Sequence, residues 1–316
     1  MSQISLSKMP DLVMKNILEK CEIRSIFSLR KVTHNFRAFI DDLSPDSRLK
    51  ILEFSMDSPE TISVRYTFFN GPMYLITYKK DGENCKISLN YGIKKVEKEL
   101  ENQDFLAIFL KDLEFLFKFQ KSKMDYCSFQ CSESQKILES IVEILKSRNR
   151  LLKVKNISIS VPTPENVLSI LPYLASGTLE TIGFSNPKIR NSLDIQKIEE
   201  LDQWKNAKNL YASEHFLGGG NARKFAHFDR GAVFMRQVFA DDLIFLKNSF
   251  QSSLAFKSFL LRFLEFSDEQ RLIDALGQPT TQTEDGDNWW KFEYPGSDDL
   301  FTVFLTKDNI FFRHLY

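Results

Sequence analysis

The residues on which chemistry could rest are few: four histidines, four cysteines, one glycine triplet and a handful of paired carboxylates in a chain of 316 residues. His34, His215, His227 and His314 have no second ligand at i+3 or i+4 and no adjoining CxxC, so the spacing that holds zinc is absent. His215 and His227 stand twelve apart without cysteines around them. Cys127 and Cys131 would share a face only on a helix, whereas Cys127 falls in a β-pattern, so a core position is expected for it. With Cys21 and Cys85 they read as reduced thiols rather than as a disulfide framework. Gly218-Gly219-Gly220 lacks the spacing and the following Lys-Ser or Lys-Thr of a phosphate loop, and there is no GxSxG elbow. Glu199-Glu200 and Asp241-Asp242 read as solvated charges or as first-turn partners of a helix dipole. Glu284-Asp285-Gly286-Asp287 lacks the twelve-residue calcium loop with its terminal Glu. No catalytic residue, metal site or cofactor is expected.

The elements tell more. From Ile4 to Ile40, 18 of 37 residues are apolar. They fall into three helical patterns: 9–21, with Pro10 at the first turn; Ile23–Lys31, with Glu22 before it; and Asn35–Ile40, with Thr33 placed to cap. A unit of about 40 residues rarely builds a sufficient core of its own. The surplus apolar surface is therefore expected to serve as a docking face. Between Lys8 and Arg37 there are seven basic and three acidic residues, a charge that would steer an acidic partner. Asp41-Asp42-Leu43-Ser44-Pro45-Asp46 breaks the pattern and sets the expected domain boundary at 45/46.

Beyond it, Ser63–Phe69, Met73–Tyr78 and Cys85–Leu89 alternate as an antiparallel meander. A long helical pattern is read from about Val96 to Phe119, its charges at Lys111, Asp112, Glu114 and Lys118 ruling out a membrane span. Strand-plus-helix units then recur: Met124–Phe129 with 134–146, Val154–Ile159 with 164–174, Leu179–Phe184 with 194–204, and Ala207–Ala212. Their starts lie 30, 25 and 28 residues apart, an irregular leucine-rich-repeat-like pattern set against the alternative of an ordinary α/β domain. Helices are expected at Asp241–Asn248 and Ser253–Phe266. Strands are expected at Trp289–Tyr294, Leu300–Leu305 and Ile310–Leu315. The fold class is α+β: a small three-helix unit (1–45), then an α/β domain (46–316) with antiparallel strands at its ends. The net charge of zero argues against a phosphate-backbone binder.

The first forty residues resemble an F-box, carried by Leu6, Met9-Pro10, Val13-Met14, Ile17-Leu18, Ile26-Phe27, Leu29-Arg30-Lys31-Val32 and Asn35-Phe36-Arg37, closing at Ile40. Met9 stands where Leu is usual and Phe36 where Trp is common. The remainder is similar to the FTH domain that follows the F-box in the F-box A proteins of nematodes. Ile198–Lys208, Phe225-Ala226-His227-Phe228 and Asp241-Asp242-Leu243 carry that similarity. The resemblance implies a substrate-recognition subunit of a Skp-cullin-F-box ubiquitin ligase, without catalysis or cofactor of its own. It would dock on a Skp-family adaptor, and through it on the cullin, and capture a target protein with its C-terminal domain. The adaptor-facing residues would be Leu6, Met9, Pro10, Val13, Met14, Ile17, Leu18, Ile26, Phe27, Leu29 and Val32. On the curved sheet, Ser158, Ser160, Thr181 and Tyr211 are candidates for the target. Trp204 and Phe228 are expected in the core.

Two other readings remain at this point. An F-box scaffold could hold a partner, such as an RNA-regulating protein, without degrading it. The three helices could also be a helix-turn-helix, although the third offers only Asn35 and Arg37 as base-reading side chains. The N-terminus has no basic region followed by an apolar one, so a cytoplasmic or nuclear protein without membrane contact is expected.

Overall fold

A computed structural model describes residues 9–69, 71–131, 134–160, 164–185, 192–218, 221–284, 286–294 and 298–315. The chain divides into two compact units: 1–127 with 139–153, and 128–138 with 154–316.

The first unit opens with α1 (Asp11–Lys20), α2 (Ile23–Arg30) and α3 (His34–Leu43). Pro10 precedes the first, and its carbonyl takes the N–H of Met14 at 3.0 Å. Thr33 caps the third, its hydroxyl accepting from Phe36 N at 3.2 Å. Ser44 ends α3 in the left-handed conformation, so that the helix runs to Leu43, three residues beyond the expected Ile40. Met14, Leu18, Ile23, Ile26, Phe36 and Ile40 form one buried cluster.

Strands β1 (Leu49–Ser58), β2 (Thr61–Phe68), β3 (Met73–Asp81), β4 (Asn84–Tyr91) and β5 (Lys94–Leu100) follow as an antiparallel meander, each paired with the next. Then comes α4 (Phe105–Phe119), capped by Asp104, whose carboxylate accepts from Leu106 N at 2.8 Å. The helix expected from Val96 therefore starts nine residues later. Gly92, at φ 56°, turns the chain back so that Val96 pairs with Leu89, and strand pairing overrides the helical propensity of Lys and Glu. Phe109 of α4 packs on Phe54 and Tyr78 of the sheet, with ring centroids 5.4 and 5.7 Å apart. Gln120, 1% exposed, binds β1 by accepting from Leu49 N at 2.9 Å and donating to Leu49 O at 3.0 Å.

Phe27 of α2 meets Phe115 of α4 edge-on at 4.4 Å. The three helices thus share a unit with the meander. Strand β6 (Met124–Gln130) and helix α5 (Gln135–Lys146) lie across the division.

The second unit contains β7 (Val154–Ser160), α6 (Pro164–Ile170), β8 (Thr181–Ser185), β9 (Ser192–Asp194), α7 (Gln196–Glu199), α8 (Asp202–Asn206), β10 (Asn209–Gly218), β11 (Arg230–Phe239), α9 (Ala240–Gln251), β12 (Ser258–Ser267), α10 (Glu269–Leu276) and β13 to β16 (Thr281–Gln282, Asn288–Glu293, Leu300–Leu305, Asn309–Leu315). Its sheet is mixed. Strands β7, β8, β10, β11 and β12 are neighbours in parallel; β16, β15, β14 and β13 continue antiparallel from β12.

The repeat spacing becomes register. Ile157 pairs with Ile182, and Ile182 with Leu210. The row continues through Gly231 and Phe259, which the sequence pattern did not show. The helix expected at Ser253–Phe266 is in fact strand β12. Phe259, Leu261 and Phe263 alternate inward there, and consecutive apolar residues concealed the period of two. Strand β11 was likewise missed. The three C-terminal strands stand as expected, with β16 inside the sheet between β12 and β15.

Candidate functional site

The three-helix module leaves apolar surface unburied after filling its own core. Leu12 is 71% exposed, Val32 63% and Val13 40%, and Pro10 is also exposed. Met9, Ile17, Phe27 and Leu29 are half-buried. Met14, Leu18 and Ile26 are buried in the module, so these three candidates hold helices together and offer no surface. Leu6 lies outside the described residues. Leu12 was not among the candidates, yet helix phase marks it: at 100° per residue it sits opposite Met14 and Leu18.

Arg30 fixes the helices against each other. Its Nε donates to Asp41 Oδ1 and its Nη2 to Oδ2, both at 2.9 Å, a bidentate pair joining α2 to α3. This hydrogen-bonded pair holds the Asp41 carboxyl below the usual carboxylate range. The guanidinium also lies 4.8 Å from the Phe115 ring centre. On the third helix Phe36 is buried while Asn35 and Arg37 are exposed.

Beside α2 a cleft of about 690 Å³ opens between the meander and α4. Tyr78 Oη donates to Asp112 Oδ2 at 2.8 Å on its wall. Asp112 is open to the cleft's solvent but has protein on most sides, and that environment raises its carboxyl above the ordinary range. One carboxyl and one tyrosine can pass a proton, but they contain no nucleophile–base pair.

In the second unit the residues that carried the family resemblance turn out to be architectural. Gln203 Nε2 donates to Leu174 O at 2.8 Å. Trp204, 2% exposed, meets Phe228 edge-on at 5.1 Å, within a cluster that includes Phe225. Asp242 accepts from Ala222 N at 3.3 Å and from Arg223 Nε at 2.8 Å. Ile198, Ala207, Phe225 and Leu243 are buried. A family model of the F-box domain matches residues 6–48, and one of the FTH domain matches 135–273. The chain carries an F-box followed by an FTH domain. No curated protein and no solved structure matches it.

An F-box implies docking on a Skp-type adaptor and, through it, on a cullin scaffold; the FTH domain is an F-box-associated domain. F-box proteins are generally non-catalytic adaptors. Among the described residues no His, Cys, Asp and Glu group could hold a metal, and no helix is long and apolar enough to cross a membrane. Burial pushes the Cys127 and Cys131 thiols well above their ordinary range.

In the sheet of the second unit Phe259 of β12 stacks at 5.4 Å on Phe250 of α9, and the alternate residues Ser258, Leu260, Arg262 and Leu264 are half-buried or exposed on the other face. Thr181 and Ser158 lie half-buried on that open face, and Tyr211 is 45% exposed there. Ser160, the fourth candidate, is 4% exposed and offers no surface.

His227 of the FTH domain is a pH-sensitive element. Its Nε2 lies 3.1 Å from Trp204 O, an acceptor, so the neutral ring carries its proton on Nε2. His227 is exposed at the surface but has protein on most sides, and that partial desolvation lowers its pKa from the ordinary value against the opposing pull of the Trp204 and Lys224 backbone and of Asp229. The unfolded chain therefore takes the proton first as pH falls. Stability is full above about pH 6.5 and declines below it until the folded ring protonates. Burial raises the Asp229 carboxyl, so its contribution to the pH dependence has the opposite sign. The urea midpoint is expected to fall from pH 7 to pH 5.5, and His227→Gln should flatten that slope; an unchanged slope would mean another group sets it.

Proposed function

We propose that the chain is the substrate-recognition subunit of a Skp-cullin-F-box ubiquitin ligase. Its F-box docks on the adaptor and its FTH domain holds a target protein. The observation that carries the reading is the apolar surface at Leu12, Val13 and Val32, left over after Met14, Leu18, Ile26 and Ile40 have filled the module's core. An apolar centre with a basic surround suits an acidic adaptor surface. Ubiquitin transfer falls to the other subunits, so the chain acts by positioning and needs neither catalytic residue nor cofactor. Buried, unpaired thiols agree with a reducing compartment, the cytoplasm or nucleus.

The test is co-elution of the purified chain with a purified Skp-type adaptor on size exclusion. A stable complex that also takes up the cullin supports the reading; a folded chain that fails to bind any of several adaptor paralogues overturns it. A scaffold that binds its target without degradation is distinguished by target half-life, which would not change when the F-box is disabled.

A further inference from the structure

The open face of the second unit's sheet, which runs on from the FTH match through β16, β15 and β14, has a charge pattern that its register makes explicit. Residues paired across neighbouring strands point to the same side. One such row runs Tyr211, Ala232, Leu260, Phe311, Phe304 and Trp289, crossing β10, β11, β12, β16, β15 and β14. It is an apolar and aromatic stripe. Tyr211 and Trp289 are 45% and 39% exposed, and the Trp289 and Phe304 rings stand 5.4 Å apart.

Two residues along the strands lies a parallel row holding Arg230, Ser258, Arg313, Thr302 and Lys291. Two residues the other way lies Arg262, paired with Phe234 and Asn309. Arg230, Arg262, Lys291 and Arg313 are all exposed. At the same parity on β14 the acidic side chain is Glu293, at the strand's end, with Asp287 just before the strand. The stripe thus has three cations on one flank, Arg230, Arg313 and Lys291, and one, Arg262, on the other.

We infer that this face binds an acidic amphipathic helix of the target protein, its apolar side seated on the Tyr211–Trp289 stripe and its carboxylates on the flanking arginines and lysine. The inference rests on the receptor reading and names the surface and the partner's chemistry. The dimensions fit. Rows two residues to either side of the stripe stand roughly 13 Å apart, and a helix with its side chains is about 10–12 Å across. Six strands at about 4.8 Å spacing give a stripe roughly 24 Å long, the length of about 16 helical residues. A helix with acidic residues on both flanks of its apolar face meets the row of Arg230, Arg313 and Lys291 on one side and Arg262 on the other, reading its anchors at helical spacing. A single-stranded nucleic acid would instead align one line of phosphates with one line of cations, and the zero net charge of the chain gives it no general attraction.

The probe is a fluorescein-labelled 18-residue helix-forming peptide with Leu and Phe at i, i+3, i+4 and i+7 and Glu on the flanks, titrated with the full chain by fluorescence anisotropy. Saturable one-to-one binding is expected. Arg262→Glu with Arg313→Glu should weaken it at least tenfold, and the milder Arg262→Gln with Arg313→Gln should weaken it less. Tyr211→Ala with Trp289→Ala should weaken it without changing its salt dependence. A peptide with Lys in place of Glu should not bind. Absence of binding to the wild type, equal binding of the Lys peptide, or unchanged affinity in the Arg262→Glu, Arg313→Glu chain would overturn the inference. So would displacement of the peptide by a 20-nucleotide oligouridylate. Co-elution with the Skp-type adaptor is read on the same variants: it should persist in all of them, so loss of peptide binding with adaptor binding intact separates this surface from the F-box.

Discussion

A chain carrying Leu12→Asp and Val32→Asp is expected to fold as the wild type does and to lose its affinity for a Skp-type adaptor by more than a hundredfold. Both side chains are mostly in solvent, at 71% and 63% exposure, so their replacement removes little packing within the chain. Surface changes of this kind usually stay within about 0.5 kcal/mol. In a docked interface the same positions lose their water. Burying a polar group without a partner there costs about 1–3 kcal/mol by protein measures, and more for a charge. Two such costs exceed the roughly 2.8 kcal/mol that a hundredfold change in affinity needs. Isothermal titration against the adaptor, with a thermal midpoint beside it, reads both quantities. Adaptor binding at wild-type strength in this variant would place the docking surface elsewhere on the chain. Leu18→Asp makes the contrast: at 1% exposure it should abolish binding by unfolding the module, with the midpoint falling too.

Gly231→Ala is the second large effect, this time on stability. A Cβ at this position would stand 2.8 Å from Leu210 O and 2.8 Å from Phe259 Cδ2. The first of these is backbone held by the β10–β11 ladder, so it cannot swing aside. Phe259 is fully buried between Phe225 and Phe250, so it cannot move freely either. Overpacking of this kind typically costs about 1–3 kcal/mol, and the rigid neighbours put it at the upper end, about 3 kcal/mol. In a unit of this size that lowers the unfolding midpoint by roughly 6–12 °C. Gly177→Ala, where a Cβ meets nothing within 4 Å, should leave the midpoint within a degree or two. Calorimetry of the two variants side by side decides it. A wild-type midpoint for Gly231→Ala would mean that the parallel register through Leu210, Gly231 and Phe259 is looser than described.

Legibility in the sequence depended on what each residue reports. The F-box helices were readable because Pro10 and Thr33 mark their starts and Met14, Leu18, Ile26 and Ile40 keep helical phase. The parallel strands β7, β8 and β10 were readable because one supersecondary unit repeats, so spacing became register. Strand β12 was not, because Phe259-Leu260-Leu261 is apolar on both faces: the helix-covered face is core, and Leu260 belongs to the stripe on the other. Strand β5 was not, because its Lys and Glu residues prefer helices and only pairing with β4 makes them extended. The surfaces were the least legible part. Leu12 is separated from Met14 by helix phase alone, and the flanking of the aromatic stripe by Arg230, Arg313, Lys291 and Arg262 joins residues up to 83 positions apart, which only the strand pairing brings side by side.

The charges of β5 bear on how the protein behaves in concentrated solution. Its partner β4 lies on one side, and the other side of the strand ends the sheet, leaving backbone donors and acceptors unmatched. Such an edge invites a strand from another molecule. A protein of zero net charge has no long-range repulsion to keep its copies apart. Lys94, Lys95, Glu97, Lys98 and Glu99 supply a local substitute. Any strand approaching this edge must strip water from side chains of both signs, Glu97 among them with its ties to Lys86 and Lys95. At this edge the guard against association is therefore the local alternation of charge along β5 rather than the total charge of the chain.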